Sequence, residues 1–153
     1  MLSYYLHSDN AKQALEAITK GLSSIRLSTD LNISEQDFSI VDKELVLDDD
    51  NKFTIAELKK IVKKTGRIYL CHDGYMDPLE DRSVGYYKLA PTDGAPLLEI
   101  SGVKMHISKG TDPFASASGM AQQAVSPGDK VLDCCSGLGY AAIAAHRLGA
   151  SEV

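Results

Sequence analysis

The spacing of apolar residues alternates between a helical and a strand period along the first part of the chain. Residues 8–22 repeat apolar positions every three or four residues, which predicts an amphipathic helix. From residue 25 to residue 33 apolar and polar side chains alternate, and this predicts a strand with one solvated face. Shorter apolar runs predict further strands at 38–41 and 45–47.

A second helix has the clearest start in the sequence. Thr54 and Glu57 form a T-x-x-E capping box, and Phe53 before the cap can pack onto Leu58. We interpret the outward face of this helix as solvated, because acidic residues flank it and no aromatic residues interleave. That face carries lysines at positions 59, 60, 63 and 64. Three later strands are predicted, at 67–71, 84–89 and 97–106.

Residues 1–105 therefore predict a small α+β domain without internal repeats. The character changes after residue 105, where a polar loop leads into a helix of small residues at 114–125. An apolar strand follows at 130–134. We place the domain boundary between residues 105 and 106.

Composition narrows the functional classes. The 153 residues are 44% hydrophobic and 24% charged, which is typical of globular proteins. A net charge of -5 excludes a basic field over the whole surface, so there is no strong nucleic-acid signature. Apolar stretches are far shorter than the roughly 20 residues of a membrane span, which argues against a membrane partner. Three cysteines, two of them adjacent, exclude a secreted disulfide framework and favour the cytoplasm.

The segment that carries chemistry is a strand, a glycine turn and a helix. Gly137 and Gly139 allow a tight turn and a close approach of the backbone to a ligand, ahead of a helix at 140–148. The run G-L-G-Y-A-A formally matches the dinucleotide signature, so an oxidoreductase fragment is one candidate. Asp133, four residues before the first glycine, favours another ligand, because its carboxylate can reach an ammonium or a ribose hydroxyl.

The stretch VLDCCSGLGYAAIAAHRLGA resembles motif I of the class I S-adenosylmethionine-dependent methyltransferases. Together with SGVKMHISKGTDP it is most similar to a group of archaeal predicted methyltransferases. The resemblance covers residues from about 100 to 153. It implies an α/β fold class, in which the small N-terminal domain precedes the beginning of a doubly wound (Rossmann-like) sheet at 106–153. It also implies S-adenosylmethionine as cofactor and an unknown methyl acceptor (RNA, protein or small molecule).

The resemblance carries over to eight residues. Those expected on the methionine side of the cofactor are Asp133, Gly137 and Gly139, and those expected in the surrounding loop are Cys135, Ser136, Leu138 and Tyr140. Thr111 matches a position that meets the methionine carboxylate. Cys135 departs from the pattern, since many of these enzymes carry glycine there.

The partner acid for the ribose is expected about 20 residues beyond the turn, which lies past Val153. We therefore expect a truncated sheet, an isolated chain that is inactive, and self-association through the unpaired edge. Residues 1–105 are then the candidate acceptor-recognition part. A non-catalytic interaction module remains the alternative.

Other polar residues receive structural interpretations. We expect Cys134 and Cys135 to be small buried residues, and Cys71 beside His72 to be no nucleophile, because catalytic partners meet in space and not in sequence. The histidines have no zinc-type spacing with the cysteines, so no metal site is predicted. Two roles remain open for His106: a position matched by the resemblance, or a strand-end histidine whose ring is hydrogen-bonded to the backbone.

Overall fold

The computed structural model describes residues 3–153. Three small antiparallel sheets and four helices make up these residues. The first sheet has the order β1-β6-β7 and contains β1 (Tyr4–His7), β6 (Ile68–His72) and β7 (Tyr75–Pro78). The second has the order β2-β3-β4-β5 and contains β2 (Ser24–Leu27), β3 (Gln36–Val41), β4 (Glu44–Val46) and β5 (Lys52–Phe53). The third has the order β11-β10-β9-β8 and contains β8 (Glu80–Asp81), β9 (Tyr87–Ala90), β10 (Leu97–Ile100) and β11 (Val103–Lys104).

The helices form two pairs. The first two pack against each other, and so do the last two. They are α1 (Ser8–Thr19), α2 (Ile55–Val62), α3 (Pro113–Ala124) and α4 (Tyr140–Arg147). No helix formed by residues 3–153 is both long enough and apolar enough to cross a membrane. The predicted capping box of α2 is confirmed, because Thr54 Oγ1 accepts the N–H of Glu57 (3.3 Å) and Glu57 Oε2 accepts that of Thr54 (2.9 Å).

The predicted fold class is wrong, because this is an α+β protein with antiparallel strands and not the start of a doubly wound sheet. Within residues 3–153 the only parallel contact is an isolated bridge between Lys130 and Glu152. A parallel sheet is covered on both faces and needs several neighbouring strands. Leu132, two residues after the bridge, is 85% exposed, so no second layer covers this segment.

Two-residue turns explain the antiparallel pairing. Asp42-Lys43 joins β3 to β4, Asp73-Gly74 joins β6 to β7, and Ser101-Gly102 joins β10 to β11. Both residues of each pair have positive φ, between 50° and 84°. This is the backbone of a type I′ turn, whose twist matches that of a hairpin. Local turn chemistry therefore sends β4, β7 and β11 back beside the strand that precedes each of them.

The alternation of apolar and polar residues from 25 to 33 does not correspond to one long strand, since β2 covers only the beginning of this segment. Residues 28–34, which we call the Asp30 turn, fold around one carboxylate. Asp30 Oδ1 accepts the backbone N–H groups of Ile33 (3.1 Å) and Ser34 (2.9 Å). A short polar side chain thus takes the place of a partner strand, so the strand prediction was wrong here.

The main hydrophobic core lies between α1, α2 and the first two sheets. Its completely buried residues include Leu6, Leu45, Phe53 and Leu58. The pairing of α3 with α4 is made differently, by small side chains that let the helices approach closely. Those buried there are Ala117, Ala121, Ala144 and Ala145.

A buried amide connects three segments of this core. Asn10 in α1 is 4% exposed, and its Oδ1 accepts the N–H of His7 (2.7 Å) at the end of β1. Its Nδ2 donates to the carbonyls of Tyr5 (3.3 Å) and Ser28 (3.1 Å). The side chain therefore caps the helix, holds β1 and fixes the first residue of the Asp30 turn.

Replacing this amide tests its importance. We expect Asn10→Ala to lower the free energy of unfolding by about 3 kcal/mol, because three backbone groups lose a buried partner. Gln123→Ala is the matched control, since that exposed amide bonds only within its own helix. The control is expected to change stability by less than about 0.5 kcal/mol. Urea unfolding of both variants measures the difference, and equal midpoints would contradict the assignment.

Candidate ligand cavity at the glycine turn

The backbone of the glycine turn is left-handed at both glycines. Gly137 has φ 53°, and Gly139, which caps α4, has φ 76°. No side chain caps this helix. The first backbone N–H groups of a helix have no partner within it, so those of α4 can donate to an anionic or carbonyl group.

A cavity of about 440 Å³ lies between this turn, β10 and α3. We call it the glycine-turn cavity. Its wall is mainly apolar, with polar groups from the turn and from His106. Its lining residues include Met105, His106, Ile107, Met120, Gly137 and Tyr140.

The structure divides the eight candidate residues of the sequence analysis into three groups. Four of them line the glycine-turn cavity: Cys135, Ser136, Gly137 and Tyr140. Asp133, Leu138 and Gly139 lie in the same loop without lining it. Thr111 lines a separate, more polar cavity of about 490 Å³ beside Lys104 and Asp112. Its hydroxyl donates to the Asp112 carbonyl (3.3 Å).

Asp133 has one satisfied and one unsatisfied oxygen. Oδ1 accepts the backbone N–H of Cys135 (3.2 Å), which holds the carboxylate against the start of the turn. Oδ2 is buried and has no hydrogen-bond partner among residues 3–153. A buried oxygen without a donor is costly, so this position is suited to an additional donor group.

His106 is the residue whose role the sequence left open. Its Nδ1 accepts the backbone N–H of Leu98 (3.3 Å), so the neutral ring carries its proton on Nε2. A Cβ at Gly137 would lie 3.4 Å from Nε2, which shows how closely the ring approaches the turn. The backbone-bonded interpretation is confirmed, and the same ring also forms part of the cavity wall.

Tyr140 supports the wall next to His106. Its hydroxyl donates to the Pro96 carbonyl (2.7 Å), and its ring lies 5.3 Å from that of His106 and 5.9 Å from that of Phe114. Burial raises the pKa of this phenol, with the Asp112 charge adding to the effect. The sequence placed Tyr140 in the loop, but no pattern indicated that β10 and the segment after β11 would complete the cavity.

The cysteines occupy different environments from those expected. Cys134 and Cys135 are exposed, so the prediction that they are buried is wrong. Cys71 is buried in the core, and burial raises its thiol pKa to about 12. A thiol with that pKa is protonated near neutrality, which fits the expectation that Cys71 is no nucleophile.

Comparison with known proteins gives one relative of similar sequence. The chain is 38% identical over 153 residues to an uncharacterized protein of Methanocaldococcus jannaschii. The match covers 97% of this chain and 52% of the relative, so the chain spans about half the length of the curated relative it matches. No protein-family model matches the chain.

The stability of the fold is expected to depend on pH through two histidines whose rings accept a backbone N–H. His7 Nδ1 accepts from Asp9 as His106 does from Leu98, and burial lowers the pKa of both rings, against the Asp9 charge for His7. Just below pH 6.5 these two rings bind more protons in the unfolded chain than in the folded one, so their contribution to stability falls as the pH is lowered through this window. His72 behaves oppositely, because hydrogen bonds with Asp77 and Asp73 raise its pKa.

Titration of the imidazole NMR signals checks these directions. We expect midpoints below 6.5 for His7 and His106 and above 6.5 for His72. Single His→Gln variants assign the signals. A midpoint for His106 at or above 6.5 would contradict the environment described for the cavity wall.

Proposed function

We propose that the glycine turn, together with the cavity beside it, binds S-adenosylmethionine and that the chain is part of a methyltransferase. The residues do not specify the acceptor, which can be RNA, protein or a small molecule. The observation that carries the proposal is the Asp133 carboxylate, with one oxygen bonded to the turn and the other buried without a partner. Ligand binding at this place requires the glycine turn and the cavity, and it does not require a doubly wound sheet.

The chemistry of these donors and acceptors fits the ligand. The unsatisfied Asp133 oxygen can accept a hydrogen bond from an ammonium or hydroxyl group. The N–H groups that open α4 can donate to a carboxylate. Met105, Ile107 and Met120 are 44%, 60% and 58% exposed around the cavity, and they offer apolar contact to the rest of the molecule.

Bound S-adenosylmethionine supplies a methyl group on a positively charged sulfonium. The residues of this chain bind and orient that molecule: Asp133 accepts from the loop beside the cavity, the turn donates, and the apolar wall contacts the rest of the ligand. Orientation of this kind is a large part of what a transferase contributes to rate. Since the chain spans about half of its relative, we assign ligand binding to this chain and methyl transfer to a protein of the relative's length.

We further propose that the protein works in the cytoplasm. All three cysteines are free, and the exposed pair at 134 and 135 would be prone to oxidation in an oxidising compartment. A reducing environment preserves the turn with both thiols intact.

Calorimetric titration with S-adenosylmethionine tests the ligand assignment. We expect saturable binding that Asp133→Ala weakens about tenfold or more, because a charge-assisted hydrogen bond contributes about 1.5–3 kcal/mol. Asp49→Ala is the matched control, since this exposed aspartate lies on a turn far along the chain from the cavity. The control is expected to bind as the unaltered protein does.

Parallel titrations with S-adenosylhomocysteine and NAD separate the alternatives. Binding of NAD in place of the adenosyl ligands would support the oxidoreductase fragment. A folded chain that binds none of the three would overturn the proposal and favour the non-catalytic interaction module. Thermal unfolding of each variant distinguishes a loss of ligand binding from a loss of the folded structure.

A further inference from the structure

A second apolar cavity lies between the Asp30 turn, the loop before β10 and the outer face of α4. We call it the Asp30-turn cavity. Its volume is about 560 Å³, which is enough for a small organic molecule. The residues that matter for its chemistry are Leu31, Ile33, Phe114, Tyr140, Ile143 and Arg147. Tyr140 also lines the glycine-turn cavity, so a single ring borders both.

One wall is a backbone held in an unfavourable conformation. Leu31 and Asn32 have φ of 64° and 67°, which costs a non-glycine residue roughly 1 kcal/mol or more each. The surrounding hydrogen bonds maintain it: Ser28 Oγ accepts the N–H of Asn32 (2.9 Å), and Asp30 accepts those that follow. The result is that Ile33 stands 84% exposed at the cavity.

The same turn is attached to the opposite loop. Asn32 Nδ2 donates to the carbonyls of Gly94 (2.8 Å) and Thr92 (3.3 Å), across about 60 residues of sequence. This contact holds the Asp30 turn against the segment that leads into β10. The cavity is therefore preorganised, because these hydrogen bonds hold two of its walls together before a ligand binds.

The other wall carries a cation over an aromatic ring. The Arg147 guanidinium lies 5.0 Å from the centre of the Phe114 ring. Among residues 3–153 no carboxylate lies within 4.0 Å of it, so its charge can pair with an incoming anion. Asp112 also lines the cavity, but its Oδ1 accepts the N–H groups of Phe114 (2.9 Å) and Ala115 (3.2 Å).

We propose that the Asp30-turn cavity binds a small hydrophobic carboxylate. The aliphatic side chains of Leu31, Ile33 and Ile143 contact the apolar body of the ligand, and Arg147 pairs with the carboxylate at the outer end of α4. An exposed isoleucine on a strained but firmly held turn is explained by such contact, since neither the strain nor the exposure stabilises the fold. The site is independent of the S-adenosylmethionine assignment.

Naphthoate is a suitable probe, with naphthalenemethanol as its uncharged counterpart. We expect saturable binding of one naphthoate per chain, about tenfold tighter than the alcohol, because only the carboxylate pairs with Arg147. Arg147→Gln is expected to remove that tenfold difference. Lys60→Gln is the matched control, since it deletes an exposed cation on α2, and it is expected to leave both affinities unchanged.

Ile33→Ser provides a second variant that does not alter charge. It is expected to weaken both probes several-fold, while thermal unfolding stays unchanged because the side chain is already in solvent. S-adenosylhomocysteine should not displace naphthoate, which separates this site from the glycine-turn cavity. Absence of saturable binding, equal affinities for naphthoate in the Arg147→Gln variant and the unaltered protein, or displacement by the nucleoside would each overturn the proposal.

Discussion

The buried amide of Asn10 is the contact on which the arrangement of the N-terminal segments depends. Its Oδ1 accepts the N–H of His7, and this one hydrogen bond joins the end of β1 to the start of α1. Its Nδ2 donates to the carbonyl of Ser28, eighteen residues away. Apolar packing alone has no direction and would tolerate several positions of these segments. A buried amide does not, since each of its groups must find a partner.

Further hydrogen bonds connect the segment that begins at Ser28 to later parts of the chain. The Asp30 turn begins at that residue, and Asn32 within it bonds to the carbonyls of Thr92 and Gly94. The loop so held leads to Pro96, whose carbonyl accepts the Tyr140 hydroxyl. Successive polar contacts, and not one continuous sheet, therefore connect the first core to α4 and to both cavities.

The two cavities share a wall but differ in the ligand chemistry they offer. At the glycine turn, backbone donors lie beside the cavity and the Asp133 acceptor lies in the same loop, so this region suits a ligand with both a carboxylate and an ammonium or hydroxyl group. The Asp30-turn cavity combines aliphatic contacts with the Arg147 cation. Because Tyr140 borders both, a ligand in one cavity lies close to a ligand in the other.

Local signals in the sequence determined much of the secondary structure. The capping box at Thr54 and the helices at 8–22 and 114–125 depend on residues close in sequence, and the structure contains helices at all three places. The glycine turn before α4 was predictable for the same reason. A left-handed φ at Gly137 and Gly139 needs only the absence of a Cβ.

Only the tertiary structure decided sheet topology, burial and the composition of the cavities. A strand-turn-helix pattern does not state whether parallel neighbours exist, and here Lys130 meets Glu152 in a single bridge. Alternation through the Asp30 turn indicated a strand, but side-chain hydrogen bonds compete with pairing and prevailed. His106 and Tyr140 meet because β10 and α4 converge, and such contacts between distant segments depend on packing that no local pattern encodes.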